Sequence, residues 1–249
     1  MVRRGVYNVY IVHYNSKPMT KTRIIGHRGA AGLELENTLP SFKKAVAAGV
    51  RIIEFDVHST LDNRLVVCHD NNIERVSGAS KLIRTLTYEE LQAIPLKNDS
   101  TIPLLSEVMD FARKHHLAVI VEVKAVGDLL GFCSLMDHYA GLDITIASFN
   151  HGALAEIKQL RPNLPIYLGE QHRPVAVLQE ARAMKAQGVD LHYMLINPLT
   201  YLIARYYKLE IMLFTVNSHV IARFLMWLYP KVYICTNYPD KFALKSKAR

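Results

Sequence analysis

The chain has 249 residues, of which half are hydrophobic and 21% are charged, a balance typical of a folded protein with a sizeable core. Its formal net charge of +8 can attract nucleic acid, a membrane surface or a small anionic substrate, but no run of Lys and Arg marks a nucleic-acid patch. The three cysteines lie far apart in no metal-binding spacing, which indicates neither a disulfide framework nor a thiolate metal site and favours a reducing, cytoplasmic compartment.

Residues 1–20 are interpreted as an N-terminal extension outside the core fold, and residues 21–249 as the folded domain. The extension contains a short apolar stretch, but Asn8, His13 and Asn15 interrupt it and no small-residue cleavage site follows, so no signal peptide is predicted. No run of 18 apolar residues occurs in the sequence, which argues against a membrane-spanning helix.

From residue 23 onward, short β-branched segments alternate with segments of helical spacing. Helices are predicted to begin near Pro40, Ser106, Asn150 and Val220, the first of them capped by Asn37-Thr38 and ended by Gly49. The eight predicted strands cover residues 23–26, 51–57, 117–123, 143–149, 166–168, 190–196, 210–216 and 232–235.

Eight strands in about 225 residues, most of them followed by a helix, fit a (β/α)8 barrel of the TIM type. An open doubly wound sheet would need fewer strands and a glycine-rich phosphate turn, and no GxGxxG sequence is present. Residues 62–68 are expected to form a small hairpin arm. Residues 71–103, with a short helix at 87–94, have no place in the eightfold repeat and are expected to form an insertion over the mouth of the barrel. We therefore predict an α/β TIM barrel with a small insertion after strand 2.

Charged and imidazole side chains follow the first strands of this predicted barrel. His27 and Arg28 end the first strand, and Glu122 and Lys124 end the third. His69 closes the short apolar segment that follows the second strand. Because TIM barrels carry their active groups at the C-terminal ends of the strands, we expect these residues to meet at one mouth of the barrel.

The second predicted strand carries two carboxylates two residues apart. Side chains alternate along a strand, so Glu54 and Asp56 share one face with His58, while the apolar residues between them face the helices. Glu122 occupies the corresponding face of the next strand. Burying these carboxylates costs several kcal/mol per ion unless a cation compensates. All-oxygen ligands favour one divalent cation, Mg²⁺, Ca²⁺ or Mn²⁺, over zinc.

In order along the chain, these motifs resemble the glycerophosphodiester phosphodiesterase family of phospholipase C-like TIM barrels. The resemblance covers nearly all of residues 23–240. It rests on His27-Arg28-Gly29, Glu36-Asn37-Thr38, Glu54-Phe55-Asp56-Val57, Val66-Val67-Cys68-His69-Asp70, Glu122-Val123-Lys124, Ser148-Phe149, Thr215-Val216-Asn217 and Tyr238-Pro239-Asp240.

The resemblance implies a TIM barrel that hydrolyses small glycerophosphodiesters to glycerol 3-phosphate and an alcohol. It implies a divalent cation held by the residues that match the family's ligands, Glu54, Asp56 and Glu122, and a general acid and base pair formed by His27 and His69. Beside this resemblance, the chemistry of the side chains suits Arg28 to a bidentate phosphate contact and adds Lys124 as a point charge near the phosphate.

The sequence departs from the family pattern at two positions that we assign, with Phe149, to the substrate pocket. Phe214 stands where a tryptophan is frequent, and Asn237 where an aspartate is common. Neither change removes a predicted metal ligand or histidine, so activity is expected while the alcohol of the substrate stays open.

Two alternatives remain at this level. The first is a lysophospholipase D-type enzyme, which would need residues 71–103 to offer an apolar lid. The second is a catalytically weak barrel that binds phosphodiesters. Two further side chains have ordinary structural interpretations: His58 as a hydrogen-bond donor behind the site, and Cys68 as a packing residue rather than a nucleophile.

Overall fold

A computed structural model describes residues 23–242, so the predicted extension at residues 1–20 lies outside the described residues. Eight parallel strands close into a ring, because β1 pairs with β2 on one side and with β9 on the other. A ninth strand, β3, pairs antiparallel with β2 outside the ring. The strands are β1 (Ile24–Gly26), β2 (Ile52–Ser59), β3 (Leu65–Val67), β4 (Ala118–Ala125), β5 (Ile144–Ser148), β6 (Ile166–Glu170), β7 (Gly188–His192), β8 (Glu210–Phe214) and β9 (Val232–Thr236).

Helices surround the ring, and polar side chains cap several of them. The side chains of Thr38, Asn150 and Ser218 accept hydrogen bonds from backbone N–H groups in the first turn of the helix that follows each. Among the helices of residues 23–242, none combines the length and the apolar composition of a membrane span. The helices are α1 (Leu39–Ala47), α2 (Glu74–Ser77), α3 (Tyr88–Gln92), α4 (Leu105–Lys114), α5 (Leu129–His138), α6 (His151–Leu160), α7 (Pro174–Ala183), α8 (Pro198–Tyr207) and α9 (His219–Leu228).

Strand alternation separates the apolar residues into two cores. On β2, Ile53 and Phe55 belong to the core between the ring and the helices, whereas Ile52 belongs to the core inside the ring. Tyr167 and Met212 fill the same interior from the opposite strands. Glu54 and Asp56, which lie on the same face of β2 as Ile52, therefore point into the barrel. The closed ring of parallel strands confirms the predicted TIM barrel.

The segment between β3 and α4 packs on itself. Its buried side chains form a separate cluster around Ile73, Ile83 and Leu91, joined by Cys68. The predicted hairpin arm is present, since Val57 of β2 pairs with Val67 of β3. All of residues 71–103 are described, and no large apolar side chain among them is exposed.

The predicted strand at 190–196 is wrong in its bounds by the largest margin. The observed strand, β7, begins at Gly188 and ends at His192 rather than at residue 196. Residues Tyr193–Leu195 form a 3-10 turn, and the Asn197 side chain caps α8 directly afterwards. The β-branched and apolar character of this run favoured a strand locally, but helix capping takes the chain out of the sheet.

Candidate active site

A cavity of about 290 Å³ opens at the C-terminal ends of the strands. It contacts every predicted site residue except Asp56 and Asn237, which contact the wall residues Lys124 and His27, respectively. Met212 and Cys235, from the inner core of the ring, also line it. The other lining residues are His27, Arg28, Glu54, His69, Glu122, Lys124, Phe149, Gln171, Asp190, His192, Phe214 and Thr215.

Three carboxylates converge on one side of this cavity. Glu54, Asp56 and Glu122 are buried, and one oxygen of each lies within 4.8 Å of the others. Burial and the neighbouring carboxylates raise the pKa of Glu54 well above its usual range and that of Glu122 to about 7. Glu54 Oε1 has no hydrogen-bond partner within residues 23–242. Hard oxygen donors, like-charge crowding and this unpaired oxygen all fit a divalent cation, which these residues would hold.

Backbone and amide groups hold two of these carboxylates in place. The Arg28 amide donates to Glu54 Oε2 at 2.9 Å, and Arg28 has a left-handed backbone with φ of 50°. That conformation costs a non-glycine residue about 1–2 kcal/mol, and here it directs the amide at the carboxylate. Asn37 Nδ2 donates to Asp56 Oδ2 at 2.8 Å. The carboxylate positions are therefore set by the turn after β1 as well as by β2.

Two cationic side chains form ion pairs with carboxylates of this group. Lys124 Nζ lies 3.1 Å from Asp56 Oδ1 and 2.5 Å from Glu122 Oε1. Arg28 Nε lies 3.2 Å from Asp56 Oδ2, and its Nη1 lies 2.9 Å from Glu36 Oε1. Both cations line the cavity, so an anion that enters it meets a guanidinium and an ammonium group beside the carboxylates.

His27 is held as a neutral imidazole that presents its Nε2. Its Nδ1 donates to Asn237 Oδ1 at 2.5 Å, and its Nε2 lies 4.0 Å from Glu54 Oε2. Burial and the charge of Arg28 lower the pKa of His27 to about 4. The arrangement leaves a lone pair on Nε2 that can accept a proton.

His69 has an acidic partner instead. Its Nδ1 donates to Asp70 Oδ1 at 2.6 Å, and Arg75 Nε donates to Asp70 Oδ2 at 2.7 Å. Arg75 also forms two 2.7 Å bonds to Glu36, which joins His69 to the turn after β1. His58 Nε2 lies 3.0 Å from the His69 carbonyl oxygen. Burial lowers the pKa of His69, while the Asp56 and Asp70 carboxylates oppose that shift.

Several cavity residues were missed by the sequence analysis, and Asp190 is the most informative of them. Its side chain is 4% exposed, its Oδ1 has no hydrogen-bond partner in the described part of the chain, and burial raises its pKa well above the usual range. Alternation along β7 was the signal that could have found it: Asp190 and His192 line the cavity, while Leu191 between them packs in the core outside the ring.

Neither Cys235, which lines the cavity, nor Cys68, which precedes His69, supplies a thiolate. Burial raises the pKa of Cys68 to about 12, and this side chain packs in the cluster of residues 71–103. Burial also raises the pKa of Cys235 well above its usual range. A protonated, buried thiol is a packing group, in line with the structural interpretation of Cys68.

Aromatic rings form the opposite wall of the cavity. The rings of Phe149 and Phe214 lie edge to face with centres 5.5 Å apart, and the His192 ring lies edge to face with Phe214 at 5.9 Å. Phe149 rests on Gly169, where a Cβ atom would stand 2.8 Å from the ring. The glycine thus allows the phenyl ring to lie flat against β6.

The chain is similar to known proteins in both sequence and fold. The model of the glycerophosphoryl diester phosphodiesterase family matches residues 27–241. A glycerophosphodiester phosphodiesterase from Caldanaerobacter subterraneus subsp. tengcongensis is 30% identical over 200 residues, which cover 72% of this chain and 79% of that protein. Lysophospholipase D GDPD1 from Homo sapiens is 36% identical over 113 residues, which cover 40% of this chain and 36% of that protein. The matched segment spans less than two thirds of the length of several curated relatives and 95% of another.

A solved structure shares the fold. An Oleispira antarctica phosphodiesterase in complex with the product sn-glycerol-3-phosphate has a TM-score of 0.79 at 23% identity, covering 88% of this chain and 94% of that one. The family model covers seven of the eight ring strands, all but β1, and all the residues that line the cavity. The chain therefore belongs to the glycerophosphoryl diester phosphodiesterase family, a family of phosphodiester hydrolases.

Proposed function

We propose that this chain hydrolyses small glycerophosphodiesters to glycerol 3-phosphate and an alcohol, with His27 and His69 as the general base and general acid. The observation that carries the proposal is that two histidines, the side chains of Arg28 and Lys124, and a cluster of buried carboxylates meet at one cavity. Membership of the family and the product named for the Oleispira antarctica structure support the same reaction.

The different partners of the two histidines support a division of roles. His27 donates through Nδ1 to a neutral amide, so its Nε2 is suited to accept the proton of the attacking oxygen. His69 donates through Nδ1 to the Asp70 carboxylate, which stabilises an imidazolium that can protonate the leaving alkoxide. Each proton transfer typically contributes about 10²–10⁴-fold to the rate.

The phosphate would bind between the carboxylate cluster and the two cationic side chains, Arg28 and Lys124. Arg28 offers a planar guanidinium for phosphate oxygens, and Lys124 offers a compact charge. A divalent cation held by Glu54, Asp56 and Glu122 would supply Lewis-acid withdrawal of charge from a phosphate oxygen. We expect that cation to be Mg²⁺, Ca²⁺ or Mn²⁺, from the oxygen-only ligand set.

The test is release of glycerol 3-phosphate from glycerophosphocholine and glycerophosphoethanolamine by the purified chain. Each of the three cations is supplied in turn, then removed with excess EDTA and restored. We expect activity to fall by at least about 100-fold with the chelator and to return with one of the cations, since a bound metal contributes several kcal/mol. Release that EDTA does not affect contradicts the metal-dependent scheme. Binding of the substrate without any release indicates a phosphodiester-binding barrel instead.

Lysophospholipase D activity is the weaker alternative. The human relative of that name matches only 40% of this chain. An acyl chain would need an apolar cover, yet the apolar side chains of residues 71–103 pack into their own cluster. Assaying lysophosphatidylcholine beside glycerophosphocholine separates the two activities, and we expect the glycerophosphodiester to be preferred.

A further inference from the structure

A buried carboxyl group with an unpaired oxygen lines the cavity on the side of the ring opposite β2. Asp190 is on β7, which lies across the ring from β2, four strands away in either direction. Its neighbours in register are Gly169 on β6 and Met212 on β8, and neither offers a side-chain donor. Leaving a buried carboxyl oxygen unpaired costs about 1–3 kcal/mol or more, so a ligand that pairs with it would gain affinity.

Aromatic rings surround the end of the cavity that contains Asp190. Phe149 lies on Gly169, the register neighbour of Asp190. His192 and Phe214 are register partners one inward position further along β7 and β8, and their rings are in contact. A carboxyl group that shares a cavity with aromatic rings is a suitable environment for an organic cation, whose charge would favour the ionised form of the carboxyl.

This wall already attracts one cation of the chain. Lys124 Nζ lies 5.8 Å from the centre of the Phe149 ring. That ammonium group forms ion pairs with Asp56 and Glu122, and Asp190 has no ion pair among the described residues. A hydroxyl group could pair with Asp190 as well as an amine could, but a hydroxyl gives no reason for the aromatic faces.

We propose that Asp190, together with the rings of Phe149, His192 and Phe214, binds the positively charged amine of the leaving alcohol, such as choline or ethanolamine. The proposal rests on the phosphodiesterase function proposed above, and it names the substrate class. The phosphate lies beside Arg28 and Lys124, and the alcohol extends across the ring to β7.

The first test compares substrates that differ in the charge of the alcohol. The kcat/KM for glycerophosphocholine is divided by that for glycerophosphoglycerol, whose alcohol is neutral. In Asp190→Asn and, separately, in Phe214→Leu, we expect this ratio to fall by up to about tenfold, the size of a partly desolvated cation–π or ion-pair contact. An unchanged ratio in both variants overturns the proposal, and an equal loss on both substrates indicates that Asp190 contacts the shared glycerol part.

The second test uses binding, so it also decides the matter if no substrate is hydrolysed. Choline and its neutral carbon isostere, 3,3-dimethyl-1-butanol, are titrated against the full chain by calorimetry. We expect choline to bind more tightly than the isostere, and Asp190→Asn to remove that difference. Equal affinity of the two ligands for the unmodified protein overturns the subsite, whatever the outcome of the activity assays. Thermal unfolding of Asp190→Asn and Phe214→Leu checks that both variants fold.

Discussion

The two walls of the cavity are built in opposite ways. The charged wall, formed by residues 27–28, 54–56, 69–70 and 122–124, is a network in which cations and carboxylates contact one another at 2.5–3.2 Å. The aromatic wall, formed by Phe149, Asp190, His192 and Phe214, has ring contacts and a single carboxyl with one unpaired oxygen. The first wall holds most of its groups in fixed positions and leaves Glu54 Oε1 unpaired for a metal, while the second leaves contacts for an organic ligand to complete.

This difference indicates that the charged wall carries out the reaction and that the aromatic wall selects the alcohol of the substrate. Acid–base and phosphate chemistry requires reacting groups whose positions are fixed to within a fraction of an ångström. The ion pairs and hydrogen bonds of the charged wall fix them in this way. Selection of an alcohol requires groups whose interactions are completed only by the right ligand. We therefore expect substitutions in the charged wall to reduce kcat for every substrate, and substitutions in the aromatic wall to change the relative rates of substrates.

The largest expected effect is the loss of either histidine. His27→Ala and His69→Ala should each reduce kcat by about 10²–10⁴-fold on every glycerophosphodiester, because each removes one proton transfer. Initial rates with two head groups measure this. His138→Ala, at the exposed C-terminal end of α5, is the matched control and should retain activity. Full turnover in either active-site variant would rule out the two-histidine scheme.

A second prediction concerns how pH changes the thermal stabilisation that a bound cation provides. Without a cation, the folded chain keeps the Glu122 proton up to pH about 7, whereas an unfolded glutamic acid releases it near its ordinary pKa. Stability from this group is therefore present at low pH and is lost as the pH rises towards 7. Cation binding requires the ionised carboxylates, so it should raise Tm more at pH 8 than at pH 5. At a cation concentration about 100 times Kd the rise should be about 5–10 °C.

Scanning calorimetry at both pH values, with and without each cation, measures this response. Glu122→Gln should remove most of the cation effect and weaken the pH dependence, since it takes away one ligand and one titrating group. Phe214→Leu, in the aromatic wall, should keep the full response. A cation effect that is equal at pH 5 and pH 8 would contradict the assignment of these carboxylates.

The smallest expected effect tests the link between His69 and the turn after β1. Arg75 is about half exposed, so its pairs with Asp70 and Glu36 are screened by solvent. Arg75→Ala should lower kcat only about two- to fivefold, in keeping with contacts worth up to about 1 kcal/mol. As a positioning residue, it should also alter the pH profile of kcat, because Asp70 loses a cationic partner. Arg113→Ala breaks a comparable exposed pair with Asp110 on α4 and should leave that profile unchanged.

Much of the fold and of the charged wall could be predicted from local patterns. Alternation along β2 predicted that Glu54 and Asp56 face inward, and both are buried inside the ring. The bond between His27 and Asn237 could not be predicted in the same way, because 210 residues separate them. The bonds from Arg75 to Glu36, 39 residues apart, depend likewise on how the segment before α4 packs on the barrel.

The sequence by itself determined the barrel, the order of its strands and the identity of the charged groups at their ends, because strand periodicity and motif order are local properties of the chain. Only the tertiary structure decided which groups are paired and which are free to meet a ligand. Asp190 shows the physical reason: alternation along β7 directs its side chain inward, but its unpaired oxygen follows from Gly169 and Met212, which the sheet places beside it. Pairing is set by closure of the ring, which brings together side chains that are distant in sequence.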